Sequence, residues 1–154
     1  FELIGEFDPA LDVGTPSGGG GDVEMFHRLP ARGHVLVYEP SALVWHQHRS
    51  HMADLEKLME NDGRSFGCYL VTVGKNGTMP WFFLVYFALR FWLWDWIFKR
   101  LIAPDTKGIP RSFIRRELLL ALSSPMAYLN SRAHASRVGA VAPQALQPPL
   151  YDRK

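Results

Sequence analysis

Residues 34–45 read His-Val-Leu-Val-Tyr-Glu-Pro-Ser-Ala-Leu-Val-Trp, and this stretch decides between an all-helical fold and a mixed one. Two short apolar runs, rich in valine and aromatic residues, flank a turn at Glu39-Pro40, which is typical of β-strands. From Met52 onward the pattern is helical or irregular, so we expect more helix than strand. The sequence therefore predicts an α/β fold in which residues 34–45 contribute strands at the edge of a mixed sheet.

The segment before these runs is a glycine-rich loop that leads into a helix. Residues 14–21 are Gly-Thr-Pro-Ser-Gly-Gly-Gly-Gly, and Asp22 follows where a helix N-cap is expected. Val23, Phe26 and Leu29 then recur at helical spacing. Successive glycines let the backbone approach a ligand closely, and a carboxylate facing an open cleft can accept a proton. Ordinary capping of the helix is the alternative role for Asp22.

Histidines follow the second apolar run. His46 and His48 alternate along the chain, so on a strand they share one face, as two metal ligands would. No cysteine or nearby carboxylate completes a zinc set, so surface or hydrogen-bonded histidines are the alternative interpretation.

The order of these features is that of a known enzyme family. The glycine loop, a helix beginning with Asp-x-Glu, Arg-Leu, a glycine turn, Tyr-x-Pro and His-x-His-Arg together resemble the C-terminal half of family 2 glycosyltransferases, nucleotide-sugar enzymes of the GT-A fold. The resemblance covers residues 1–75, about half of the chain. The matching positions are Gly5 to Asp8, Gly18 to Asp22, Glu24, Arg28-Leu29, Gly33, Tyr38 to Pro40, Ala42 and Val44 to Arg49.

The resemblance implies roles for residues around the glycine loop. Asp22 falls on the family's catalytic base, which deprotonates an acceptor hydroxyl that then displaces the nucleoside diphosphate with inversion. Gly20 and Gly21 would border the substrate, while Glu24 and Arg28 would lie on the acceptor side or support the base.

The resemblance also implies a cofactor and two substrates. His46, with His48 as the alternate, falls on a histidine that helps to bind a divalent cation, Mn²⁺ or Mg²⁺, on the diphosphate. The substrates would be a nucleotide-sugar donor and a saccharide or lipid-linked acceptor, as in the synthesis of cell-surface glycans or glycolipids.

The sequence departs from the family pattern in three ways. Gly21 stands where Glu is common beside the aspartate, and no Gln-x-x-Arg-Trp marks a processive synthase. No Asp-x-Asp precedes the glycine loop, and the nucleotide-binding units are missing. We therefore expect a C-terminal portion of a bacterial enzyme that is inactive without its donor-binding half.

Composition and charge narrow the class of protein further. With 47% hydrophobic and 13% aromatic residues, the chain is not disordered throughout, and its single cysteine, Cys68, excludes an intrachain disulfide. Residues 1–98 carry 7 Lys/Arg and 12 Asp/Glu, whereas residues 99–154 carry 10 and 3. The basic C-terminal part of the chain, residues 99–154, suits an anionic partner. Because the aromatic residues form one apolar block rather than alternating with basic residues, a membrane surface is favoured over nucleic acid.

That aromatic block is residues 79–102, with four of the five tryptophans. About 20 apolar residues suffice to span a bilayer, but Arg90 and Asp95 would each cost about 2.5–3.5 kcal/mol at its centre. We predict a helix lying in the interface of a membrane, and the resemblance to family 2 glycosyltransferases implies the cytoplasmic face of the cell membrane. A buried helix of a soluble core, or a helix covered by a partner, is the alternative.

The sequence thus predicts four parts. Residues 1–75 belong to the catalytic domain, 76–102 form the aromatic helix, 103–138 are a basic amphipathic region with a helix over 111–122, and 139–154 are a disordered tail. A non-catalytic membrane-associated module, in which Asp22 is only a cap, is the alternative function.

Overall fold

The computed structural model describes residues 4–45, 51–103 and 108–141, and about 70% of these are helical. We call the continuous apolar stretch Trp81–Ile102 the aromatic helix. The elements in chain order are a 3₁₀ turn Pro9–Leu11, α1 Gly21–Ala31, α2 Met52–Asn76, α3 Trp81–Phe87, a π-helix Ala88–Phe98, α4 Lys99–Ile102, α5 Arg111–Leu122 and α6 Ser124–Val141.

The predicted α/β fold is wrong, because the described residues contain no strand. Residues 34–39 and 42–45 carry no regular structure, and Val35, Val37 and Val44 are each more than 80% exposed. Ala42 N–H donates to Glu39 O at the turn between them. A β-rich sequence fits the surface of a sheet, but it becomes a strand only when a neighbouring strand pairs with its backbone. No other described segment supplies that pairing.

Helix α2 is the centre of the fold, and it begins at Met52 as predicted. It packs against both α5 and α6. Two glycines allow the close approach: a Cβ on Gly63 would lie 2.2 Å from the Glu117 carbonyl oxygen, and one on Gly67 would lie 2.2 Å from Ser124 Oγ. The residues that weaken α2 by propensity are therefore its packing points.

Two buried clusters lie on either side of α2. Ala10, Leu11, Cys68 and Tyr128 join the 3₁₀ turn to α2 and α6. On the other side, Met59 of α2 packs with the second cluster, which joins the π-helix to α5 through Ile97 and Ile114. The chain before α1 and the helices after residue 76 thus share one framework.

The predicted helix over 111–122 is present as α5, with Pro110 at its N-cap. Helix α6 extends through Val141, so the first three residues of the predicted disordered tail are helical. Residues 142–154 lie outside the described residues.

The aromatic helix lies on the surface of this framework. It is long and apolar enough to cross a membrane, with a mean hydropathy of 1.3 over its most apolar window, and only 6% of that window is buried. Three of its four charged residues pair with one another, since Asp95 bonds both Arg90 and Lys99. Self-compensation of this kind lowers the cost of placing the charges near lipid.

Candidate active site

The glycine loop turns the chain sharply into α1. Gly18, Gly19 and Gly20 all have positive φ, at 82°, 136° and 104°, in the region that residues with a Cβ rarely adopt. The loop is anchored where Ser17 N–H donates to Ser131 Oγ of α6 over 2.7 Å. The glycines are thus required by the backbone of this loop.

Asp22 lies in the first turn of α1 and is exposed. The N-cap is Gly20, which has no side chain, so Asp22 does not hold the capping position. Its Oδ1 accepts only the neighbouring Val23 N–H, over 2.8 Å. The positive end of the helix dipole favours a negative charge at this position, and the second carboxylate oxygen has no hydrogen-bond partner in the described part of the chain. The geometry leaves this carboxylate open to a substrate.

Glu24 and Arg28 are buried one turn apart on α1 and form an ion pair, with Glu24 Oε1 3.0 Å from Arg28 Nε. The Arg28 guanidinium also donates to the carbonyl oxygens of Ile4 and Glu6, the latter over 2.7 Å. Both side chains thus have partners inside the protein. This arrangement suits support of the loop and of the preceding segment better than direct contact with substrate.

The predicted metal ligands His46 and His48 lie outside the described residues. Within residues 4–45, 51–103 and 108–141, no group of three His, Cys, Asp or Glu side chains is arranged to hold a metal ion. A divalent-cation site at His46 or His48 stays a prediction.

A cavity of about 390 Å³ opens between α1, α2, the aromatic helix and α5. Gly20 and Val23, on either side of Gly21-Asp22, belong to its wall, so the glycine loop borders it. The volume is within the range of small-molecule sites. Most of the remaining wall is aromatic, formed by Phe66, Tyr69, Phe87, Phe91, Trp92 and Trp96.

Two carboxylates face this aromatic wall. Glu117 is buried and accepts hydrogen bonds from Trp96 Nε1 over 2.7 Å and from Arg100 over 3.0 Å. Desolvation raises the pKa of Glu117 despite these donors. Asp62 also lines the cavity but is exposed. Partial desolvation raises its pKa, and its carboxylate makes no hydrogen bond or ion pair to the described part of the chain. Glu117 therefore has its partners, whereas Asp62 is free to receive one.

Sequence reasoning missed both carboxylates. Glu117 is the one acidic residue of α5, directly after Arg115 and Arg116, and this isolation in a basic stretch was a usable signal. Asp62 carries no comparable signal, because an acidic residue on a long amphipathic helix is ordinarily solvated.

Comparisons of the chain with protein-family models, with curated proteins and with solved structures gave no match.

Proposed function

We propose that this chain supplies the catalytic base and the acceptor side of an inverting glycosyltransferase that works at a membrane surface. The observation that carries the proposal is the position of Asp22: an exposed carboxylate at the start of α1, with Gly20 and Val23 beside it in the wall of a ligand-sized cavity. The ordered motif set over residues 1–75 supports the same assignment.

In this proposal, Asp22 accepts the proton of an acceptor hydroxyl as the oxygen attacks the anomeric carbon of a nucleotide-sugar donor. The bond from that carbon to the diphosphate breaks, and the configuration inverts. A divalent cation, Mn²⁺ or Mg²⁺, would offset charge on the leaving diphosphate, with His46 or His48 as its predicted ligand. The Glu24–Arg28 pair holds α1 against the preceding segment, which fixes the base relative to the cavity.

The aromatic helix supports attachment to a membrane surface. Trp81, Phe83, Tyr86 and Trp94 are about half exposed or more, so the helix presents aromatic side chains to its surroundings. Such rings favour the boundary between headgroups and acyl chains. Arg111 and Arg115 on α5 are exposed and can meet anionic headgroups; Arg111 lies beside the carboxyl end of the aromatic helix, where it donates to Ala103 O.

The packing of this helix favours an in-plane position over a span. Ile97 is fully buried against Met59 of α2 and Ile114 of α5, so the carboxyl half of the helix is fixed to the framework. Helices α2 and α5 carry the exposed Arg116 beside Glu56 and Glu60. A spanning helix would draw these charges into hydrocarbon, at a cost of about 2.5–3.5 kcal/mol for a charge at the bilayer centre.

A non-catalytic membrane module is the competing function. It is favoured by the hydrogen bond from Val23 N–H to Asp22, which stabilises the first turn of α1 without any substrate.

The turnover of the complete gene product that contains this chain distinguishes the glycosyltransferase from the membrane module. It is assayed with a panel of nucleotide-sugar donors, Mn²⁺ or Mg²⁺, and lipid-linked or soluble glycan acceptors. Asp22→Asn should lower kcat by about 10²–10⁴-fold, the contribution of a general base. Asp12→Asn, at an exposed aspartate of the same segment, should leave it unchanged. Equal turnover in the Asp22→Asn variant and the parent would favour the membrane module.

A further inference from the structure

The cavity between α2 and the aromatic helix is lined by two chemically different kinds of side chain. Phe91 and Trp96 contribute apolar ring surface, and Asp62 and Ser65 of α2 contribute polar atoms. A ligand that fills this space must offer an apolar face to the rings and hydrogen-bond donors to the carboxylate.

Several rings of the aromatic wall have partners within the protein. The Trp96 indole is held at Nε1 by Glu117, and the Arg100 guanidinium lies over the ring at 4.9 Å from its centroid. Phe66 and Trp92 stack with their centroids 5.3 Å apart and an interplanar angle of 18°. Because these contacts restrict the rings before a ligand arrives, packing on them costs less side-chain entropy than packing on rings without partners.

The carboxylate of Asp62 makes two classes of ligand unfavourable in this cavity. An acyl or isoprenoid chain would cover the carboxylate with hydrocarbon and supply no donor, which is costly for a polar group. A nucleoside diphosphate would bring negative charge towards the unpaired carboxylate of Asp62, and like charges repel. The donor substrate therefore belongs elsewhere.

A sugar ring meets both requirements. Its hydroxyls can donate to Asp62, and the C–H groups on one face of a pyranose can pack on the negative faces of aromatic rings. We propose that this cavity is a subsite for a pyranose ring without negative charge, with Asp62 as the hydrogen-bond acceptor and Phe91 and Trp96 as the apolar platform. In the context of the proposed function, on which this role rests, the ring belongs to the acceptor glycan.

Saturation-transfer difference NMR tests the proposal without requiring catalysis. The protein is titrated with methyl pyranosides of several configurations and with an octyl pyranoside below its micelle concentration. We expect saturation of ring protons for at least one methyl pyranoside, and no competition from uridine diphosphate. Saturation of the octyl protons alone would overturn the proposal and identify a hydrocarbon site, as would the absence of binding by every methyl pyranoside at millimolar concentration.

Two matched pairs of variants locate the site. Asp62→Asn should weaken binding about tenfold, as expected for a hydrogen bond to a charged group, while Asp54→Asn on the same helix should not. Phe91→Ala should weaken binding, while Phe82→Ala, at an exposed ring of the same helix outside the cavity, should not. Binding unchanged in both Asp62→Asn and Phe91→Ala would overturn the proposed location.

The outcome is independent of the turnover experiment. If Asp22→Asn retains full turnover but pyranosides bind in an Asp62-dependent manner, the glycosyltransferase assignment fails and the sugar subsite stands. If turnover depends on Asp22 but no pyranoside binds, the subsite fails alone.

Discussion

The indole Nε1 of Trp96 on the aromatic helix donates a hydrogen bond of 2.7 Å to Oε1 of Glu117 on α5. Arg100, one turn further along the aromatic helix, donates to the other carboxylate oxygen. The Glu117 side chain is 3% exposed. One buried carboxylate therefore joins two donors of the aromatic helix to the framework.

Loss of this carboxylate should destabilise the protein. Glu117→Ala should lower the free energy of unfolding by about 2–4 kcal/mol, because two donors lose their acceptor and the cavity that Glu117 lines becomes larger. Glu117→Gln should cost less, since an amide oxygen can still accept from Trp96. Urea denaturation measures both. Glu56→Ala, which removes a partner of Arg116 in an exposed ion pair, is the control and should cost about 0–1 kcal/mol. Equal losses in the two alanine variants would contradict the buried role of Glu117.

The raised pKa of Glu117 predicts a pH dependence of stability. Its ordinary value is 4.5 and desolvation raises it in the folded state, so above pH 4.5 the folded protein binds more protons at this site than the unfolded chain. The free energy of unfolding contributed by Glu117 should therefore fall as pH rises through the window between the two values, and be fully present below it. The test is the difference in unfolding free energy between the parent and Glu117→Gln, measured from pH 4 to pH 7. The parent should lose stability relative to Glu117→Gln as pH rises. A difference in unfolding free energy that stays constant with pH would contradict the raised pKa of Glu117.

The close approach of α2 to α5 and α6 predicts intolerance to small side chains. Gly63→Ala and Gly67→Ala should each cost about 3 kcal/mol or more, since the added methyl would meet backbone or side-chain oxygens 2.2 Å away. Gly139→Ala on α6 is the matched control, because a Cβ there meets nothing within 4 Å. It should be neutral or stabilise by up to about 1 kcal/mol, through better helix propensity. Thermal unfolding reports all three, and a loss at Gly139 as large as at Gly63 would show that helix alteration rather than crowding is responsible.

The proposed in-plane position of the aromatic helix predicts how the protein binds vesicles. Cosedimentation should be stronger with vesicles containing an anionic phospholipid than with neutral ones, and should weaken with salt. Trp81→Ser should reduce binding, whereas Val35→Ser, at an equally exposed apolar residue outside the helix, should not. Bromine atoms near the headgroups should quench tryptophan fluorescence more than bromine at the chain ends. Stronger quenching from the chain ends would instead indicate a span.

The helical part of the fold could be predicted because its signals are local. Apolar residues at helical spacing predicted α2 from Met52, and the amphipathic pattern of residues 111–122 predicted α5. Whether residues 34–45 form strands could not be predicted in the same way. A strand depends on pairing with a second segment and not on its own residues alone. The positions of Val35 and Trp45 in solvent show this directly.

Only the residues of the candidate site that lie close together in the sequence could be predicted. Asp22, Glu24 and Arg28 lie close together in sequence, and motif order indicated them. Asp62 and Glu117 meet the glycine loop only after α2 packs against α5, and their contribution depends on desolvation that no spacing reveals.

The π-helix between Ala88 and Phe98 gives the aromatic helix an unusual register. Its carboxyl end is closed by the Lys99 N–H bonding to Trp94 O, five residues back, and pairs five apart meet across it: Arg90 bonds Asp95, while Phe91 and Trp96 both face the cavity. A π-helix of this kind is equivalent to an α-helix carrying inserted residues. Removal of a single residue such as Leu89 would let the backbone revert towards α winding, in which residues five apart no longer lie on one face. Pairs such as Arg90 and Asp95 would then separate. Along this segment, chain length is constrained more tightly than the identity of the exposed residues.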